Sequence, residues 1–397
     1  MVGFTGARRL YVLLFAGFVV YGGVFTVYGA TVPRVIADFG WSYVVTGLVL
    51  AAGAVGFFIS TFVTGLVIEG ANSKAVYVGG LAACAAAVGL FARWPSPAIN
   101  LALSFGVGIA QGIIEVVTNY EVVRLEQAGQ SRKMNLLHAG FSAGAIAGPI
   151  AVGALIGIGG SWKSMFPALA AFFLALAVVS LAFRFPPPEK ARHHESKGGL
   201  ALLRQPLLIL LCVVIILYVG SELGATNWVS EYFVRELGAP APTAAFAVSA
   251  LWAGLLAGRA LLSVTWRSGR QEVLLLALSI ACIAGLLGFL AVRRVIPAMA
   301  LVFGLGLAYS GIYPLGVALA GRVFRSSAAV GLIGTSAGLG SFSFPFLLAG
   351  IAQGAGLRAG FLILGVLPLG IAVVSLALIR MLGRHREAQS AAGQPPR

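Results

Sequence analysis

Charge is what this sequence has least of. Acidic side chains number 12 in 397 residues and basic ones 27, so 10% of the chain is charged, against about 25% in a soluble domain. With 59% of residues apolar and a mean hydropathy of +0.97, a water-soluble globular fold is excluded, because too little polar surface exists to cover such a core. The three cysteines, Cys84, Cys212 and Cys282, are too scattered for a disulfide framework and read as small buried hydrophobes. No convincing Ser/His/Asp set, zinc-ligand spacing or phosphate loop is visible, so no enzyme, metal or cofactor is expected. Basic residues are not interleaved with aromatics, which argues against nucleic acid as a partner.

What remains is apolar sequence in long runs. A membrane-spanning helix needs about 20 apolar residues, and twelve stretches qualify, near 9–31, 43–67, 75–92, 98–124, 134–158, 164–185, 206–233, 243–266, 272–292, 296–321, 328–353 and 359–380. The first is read as a retained helix, with no small-residue cleavage site after it. With a cytoplasmic N-terminus, Arg34, Arg93, Lys163, Arg235, Arg293, Arg294 and Arg358 fall on outer loops. Arg259 falls within or near a span, and the other basic residues lie inside. That asymmetry sets both termini in the cytoplasm of a plasma or bacterial inner membrane, and the basicity is a topology signal.

Phe185 to Gly199 is the one long polar interruption, opened by Pro186, Pro187 and Pro188, which stop a helix. Its His193-His194 pair reads as part of a solvated linker. The sequences on either side repeat. Phe105-Gly-Val-Gly-Ile-Ala110 matches Phe303-Gly-Leu-Gly-Leu-Ala308 at an offset of 198; Gly144 and Pro149 match Gly340 and Pro345 at 196; Tyr21 and Gly23 match Tyr218 and Gly220 at 197. The expected architecture is an all-α membrane protein of twelve transmembrane helices in two pseudo-symmetric six-helix bundles. Residues 1–185 form the first bundle, 186–205 a cytoplasmic linker, 206–380 the second bundle and 381–397 a cytoplasmic tail. A monomer is expected, with the substrate between the bundles near the membrane midplane.

Polar residues inside the spans mark candidate sites. Gln111, Glu115 and Asn119 are spaced by four and share a helix face. Glu115 is nine residues before Arg124 at the inner surface, about 13 Å deep. A charge there costs a few kcal/mol unless it faces water or a partner. No Lys or Arg falls in the central part of a span, so the expectation is a cavity-facing or neutral carboxyl, either of which can bind a proton. A structural Glu bonded between helices is the plain alternative. In the seventh span Tyr218, Glu222 and Thr226 share one face and Asn227 and Glu231 a neighbouring one. Glu222, Asn227 and Trp228 combine an acid, an amide and an indole, which suits the hydroxyls and apolar face of a sugar; Tyr232 reads as interfacial. His138 either relays protons to Glu115 or hydrogen-bonds a neighbouring helix. Tyr28, from the Tyr21, Phe25, Tyr28 stripe, and Tyr313, the repeat mate of Glu115, are further substrate candidates.

These residues resemble the major facilitator superfamily, and within it the fucose–galactose–glucose:proton symporter group and its relatives. Similar are Glu115 with Asn119; Leu137-His138 with Phe141, Gly144 and Pro149; and Tyr218-Val219-Gly220 followed by an acid and Trp228. After the second span Gly65 and Lys74 keep part of the superfamily's loop motif, Glu69 stands for its Asp and Gly70 for its Arg. Gly29 stands where members of the group can carry an intramembrane Asp. The resemblance implies a secondary transporter, and with the residues above it yields proton-coupled uptake of a monosaccharide (hexose) by alternating access. Protons and a small-molecule substrate are then the partners, in a lipid bilayer. Alternatives are a proton-driven exporter of amphipathic drugs or lipids, and a non-transporting membrane sugar receptor.

Overall fold

A computed structural model describes residues 4–126, 132–188, 204–266, 270–324 and 327–391. All regular structure among them is helical: α1 Phe4–Phe39, α2 Tyr43–Val67, α3 Ser73–Leu90, α4 Pro97–Leu125, α5 Arg132–Gly157, α6 Met165–Leu181, α7 Pro206–Leu237, α8 Ala241–Thr265, α9 Gln271–Ala291, α10 Val295–Tyr309, α11 Ile312–Phe324, α12 Ser327–Ala355 and α13 Leu357–Ala391. They make twelve candidate membrane spans. The tenth, expected as one helix, is broken at Ser310-Gly311 into α10 and α11. The last helix runs on to Ala391 through most of the segment expected as a tail. Residues 189–203 of the expected linker lie outside the described residues. Large apolar side chains such as Leu66, Ile158 and Ile296 are 71%, 84% and 85% exposed around the perimeter, an outward face suited to hydrocarbon rather than water.

The packing repeats. In the first half α1 lies on α5, α2 on α4 and α3 on α6; in the second α7 lies on α12, α8 on α10 and α9 on α13. Glycine sets the closest approaches at repeat-related places. A Cβ on Gly144 would sit 1.8 Å from Val19 O, and one on Gly340 2.2 Å from Ile216 O. Likewise Gly56 lies on Phe105 O and Gly254 on Phe303 O. Such contacts let backbones touch where lipid supplies no hydrophobic drive between helices. One contact is reversed between the halves. Ser60 of α2 faces Gly112 of α4, whereas Gly258 of α8 faces Ser310. Ser60 donates to Ile109 O and Ser310 to Leu307 O, each at 2.7 Å, and those two carbonyls are themselves repeat mates.

Pro149 lies inside α5 and leaves the carbonyl of Ala145 without its helical donor. Thr26 Oγ1 of α1 donates to that oxygen at 3.0 Å, so the kink is satisfied by the neighbouring helix.

The halves meet chiefly through α2 on α12, α5 on α8 and α1 on α7. At the end away from the termini, the Tyr43 amide donates to Gln353 Oε1 at 2.9 Å. The Tyr43 hydroxyl donates to Glu231 Oε1 at 3.2 Å, and Arg235 Nε meets the same oxygen at 3.1 Å. Ser230 Oγ donates to Gly29 O, and Gly47 lies against Ala349 and Trp228. Among the described residues α4 makes no substantial contact with any helix of the second half, and α5 makes none with α11 or α12. The molecule is therefore closed at the far end, and among the described residues α4 stands apart from the second half.

Candidate functional site

Glu115 is half-buried on α4, with Gln111 and Asn119 one turn to either side. Its Oε2 accepts a hydrogen bond of 2.7 Å from the hydroxyl of Tyr21 on α1. Tyr21 is 2% exposed and is held edge-on by Phe18 at 5.3 Å and Phe141 at 5.0 Å between ring centroids. Its place follows from the α1–α5 contact: a Cβ on Gly22, the next residue, would sit 2.1 Å from Phe141 O. Among the described residues Glu115 has no ion-pair partner within 4.0 Å.

In the second half Glu222 is buried on α7, one turn from Tyr218 and within electrostatic reach of Arg259 on α8. Tyr218 packs on Tyr309 at 6.0 Å and on Tyr313 at 6.3 Å. Tyr313, in the first turn of α11, lies within electrostatic reach of both Glu115 and Glu222. The break at Ser310-Gly311 thus starts a helix whose first turn carries a phenol within electrostatic reach of a carboxyl from each half.

The sequence reading placed no Lys or Arg in the central part of a span, and Arg259 does not lie there. It lies six residues from the termini end of α8, about 9 Å along the helix, and Nη1 is 3.5 Å from Ser142 Oγ of α5. It therefore touches the first half while sharing a field with Glu222 of the second. His138 lies on α5 one turn before Ser142, is exposed, and has Arg259 as its charged neighbour. The ring of Phe18 stands beside it at 5.5 Å, on the way to Tyr21; no hydrogen bond joins His138 to Glu115 among the described residues.

The other sequence candidates are spread out. Gln111 is buried and its Nε2 finds no protein acceptor; Asn119 is half-buried and its Oδ1 finds no protein donor. Asn227 is half-buried, with its Cα close against Gly29 in the far-end closure. Trp228 is 0% exposed, donates from Nε1 to Pro345 O at 3.1 Å and meets Tyr43 edge-on at 5.7 Å. It is packed into the closure, about 9 Å along α7 from Glu222. Tyr28 points into an aromatic cluster of the first half, against Phe91 at 4.6 Å and Phe166 at 5.6 Å. The structure thus gathers Glu115, Tyr313 and Glu222, with Tyr21 and Arg259 added, and leaves Tyr28, Asn227 and Trp228 elsewhere. Tyr21 was signalled by its repeat match to Tyr218, and Arg259 by being the one basic residue assigned within a span.

Two helical halves, closed at one end and carrying an acid–phenol–guanidinium cluster within the spans, define a polytopic membrane carrier. Residues 13–265, more than half of the chain, match the Major Facilitator Superfamily, and the chain belongs to that family. Among solved structures it is similar to the nucleoside transporter NupG, with TM-score 0.74, 16% identity, and coverage of 95% of this chain and 98% of that one. It is also similar to a bacterial homolog of the human lysosomal transporter Spinster, inward-facing and occupied, with TM-score 0.76, 14% identity, and coverage of 94% and 97%. At these identities the likeness is one of fold. No curated protein matches the sequence.

Proposed function

We propose that the protein is a secondary active transporter that couples proton movement to uptake of a monosaccharide (hexose) by alternating access, with both termini cytoplasmic. The observation that carries this reading is the placement of Glu115. It is an intramembrane carboxyl with one phenolic donor and no cation bonded to it among the described residues, and Tyr313 lies within electrostatic reach of both it and Glu222. A carboxylate so placed is costly when charged and can hold a proton reversibly. Glu222 differs in having Arg259 within electrostatic reach. In this mechanism Glu115 takes a proton from the outer side, and the neutral site admits substrate. Gln111, Asn119 and Tyr313 supply hydrogen bonds, with Asn227 and Trp228 at the outer end of the path. The far-end closure then forms, and proton and substrate leave toward the termini end.

The test is accumulation in proteoliposomes with an imposed inward proton gradient, using radiolabelled D-glucose, D-galactose and L-fucose. Accumulation above equilibrium that a protonophore abolishes supports the reading. Binding without movement would make the protein a receptor, and proton-driven extrusion of an amphipathic cation would make it an exporter; either outcome removes sugar symport.

A further inference from the structure

Four tryptophans are buried: Trp41, Trp162, Trp228 and Trp252, at 6%, 3%, 0% and 4% exposure. Three of them place the indole N–H on a protein acceptor. Trp41 donates to Pro95 O at 2.8 Å, Trp162 to Asp38 Oδ2 at 2.6 Å and Trp228 to Pro345 O at 3.1 Å. Trp252 does not; its Nε1 is buried with no acceptor in the protein. A buried donor left unpaired is costly, and a functional role is one explanation for such a group.

Its location is specific. Trp252 is mid-way along α8, in the second half, yet its ring contacts are with the first half: Phe25 of α1 at 5.8 Å and Phe141 of α5 at 5.5 Å, both edge-on. Phe25 in turn meets Tyr21 at 6.4 Å, and Tyr21 is the donor to Glu115. The indole is thus two ring contacts from the hydroxyl that binds the acid. Nor does the fold demand a tryptophan here, since Ala54 stands at the repeat-related place on α2.

We propose that Trp252 contacts substrate, donating its indole N–H to an oxygen of a small polyhydroxylated ring compound and offering the ring as an apolar platform. The inference rests on the reading of the protein as a carrier of hydroxylated solutes and adds the residue that selects them. The unpaired groups point to that chemistry. Trp252 Nε1 and Gln111 Nε2 want acceptors and Asn119 Oδ1 wants a donor; a hydroxyl serves both, and the apolar face of a sugar ring suits an indole. Because the indole belongs to one half and its ring neighbours to the other, a bound solute at this point touches both halves and favours the state in which they are close.

The experiment uses the full purified chain and compares wild type with Trp252→Phe, which keeps an aromatic ring and removes the N–H. The probes are D-glucose, D-galactose, L-fucose and uridine. For any probe that binds wild type, the Kd is expected to rise about tenfold or more, the scale of one lost hydrogen bond with its partner left unpaired, while the thermal midpoint without probe stays near that of wild type. An unchanged Kd overturns the inference. If uridine binds and the hexoses do not, and Trp252→Phe weakens uridine, the hexose reading fails and the role of Trp252 stands. If no probe binds, the decision passes to Trp252→Cys in a chain lacking Cys84, Cys212 and Cys282. Reaction with a small water-soluble thiol reagent as fast as at Asn119→Cys supports a place on the substrate path, and failure to react shows the indole to be packing.

Discussion

The hydroxyl of Tyr21 donates to Glu115 Oε2 across 2.7 Å, tying the first span to the fourth. The repeat carries these residues onto Tyr218 and Tyr313, which touch as rings 6.3 Å apart and form no acid–phenol pair. One architecture thus supports an acid–phenol pair in one half and a purely aromatic one in the other. The second half's acid, Glu222, is instead the repeat mate of Phe25, on the seventh helix beside Arg259.

Glu115→Gln fixes the side chain in the shape of its neutral form. Exchange of labelled for unlabelled substrate in proteoliposomes is expected to persist within about threefold, while accumulation driven by a proton gradient falls to equilibrium. Accumulation equal to wild type would remove Glu115 from coupling.

Tyr21→Phe leaves the aromatic packing with Phe18 and Phe141 in place and removes the donor. A hydrogen bond to a charged group contributes roughly 1.5–3 kcal/mol, so the rate of gradient-driven uptake is expected to fall about tenfold or more. Exchange, which needs no net change of protonation, should fall much less. Equal losses in both assays would show that Tyr21 acts only through packing.

Gly29→Ala tests the far-end closure. The added Cβ would lie 2.2 Å from Thr226 O, a backbone atom of the opposite half that cannot swing away. Overpacking of this kind costs about 1–3 kcal/mol, enough to shift the population of the closed state about tenfold or more. Uptake should fall, and Asn227→Cys, in a background lacking Cys84, Cys212 and Cys282, should react faster with an impermeant thiol reagent added on the far side. Unchanged reactivity would mean that the halves do not separate at this contact.

Glu126, just beyond α4, accepts the amide N–H groups of Lys133 and Met134 in the first turn of α5, both at 3.0 Å. The Lys133 bond first, and then that from Met134, hold its carboxyl below the usual range. A depressed folded-state value contributes stability above the unfolded value and loses it as pH falls through the folded one. Glu126→Ala is therefore expected to lower Tm at pH 7, with the difference from wild type narrowing below about pH 4. The same Tm difference at pH 3 and pH 7 would show that the charge is not what matters.

The spans were legible because a membrane helix declares itself through a long apolar run, and the repeat because close helix contacts demand glycine at fixed places, as at Gly144 and Gly340. The break in the tenth span was not, since Ser310-Gly311 reads like any small-residue contact of a membrane helix. The stripe around Glu115 followed from spacing alone. Which aromatic residue served it did not: Tyr21, Phe25 and Tyr28 share a stripe, and only the packing of α1 on α5 turns Tyr21 to the acid while Tyr28 joins Phe91 and Phe166. Arg259 was placed within or near a span, and only the packing of the two halves shows its long side chain reaching Ser142.

The exchanged pair, Ser60 with Gly112 in one half and Gly258 with Ser310 in the other, limits how parts of this molecule can be traded. Both hydroxyls serve equivalent carbonyls, Ile109 and Leu307, so the seam accepts its serine from either helix. It has room for one. A chimera that set the second span of the first half against the tenth would bring serine onto serine in a gap shaped for a hydrogen atom. The reverse graft would place glycine on glycine and take from Ile109 O the hydrogen bond it now accepts from Ser60. The unit that can be exchanged intact is therefore the helix pair, and a side chain added at Gly112 or Gly258 needs its serine partner reduced to glycine first.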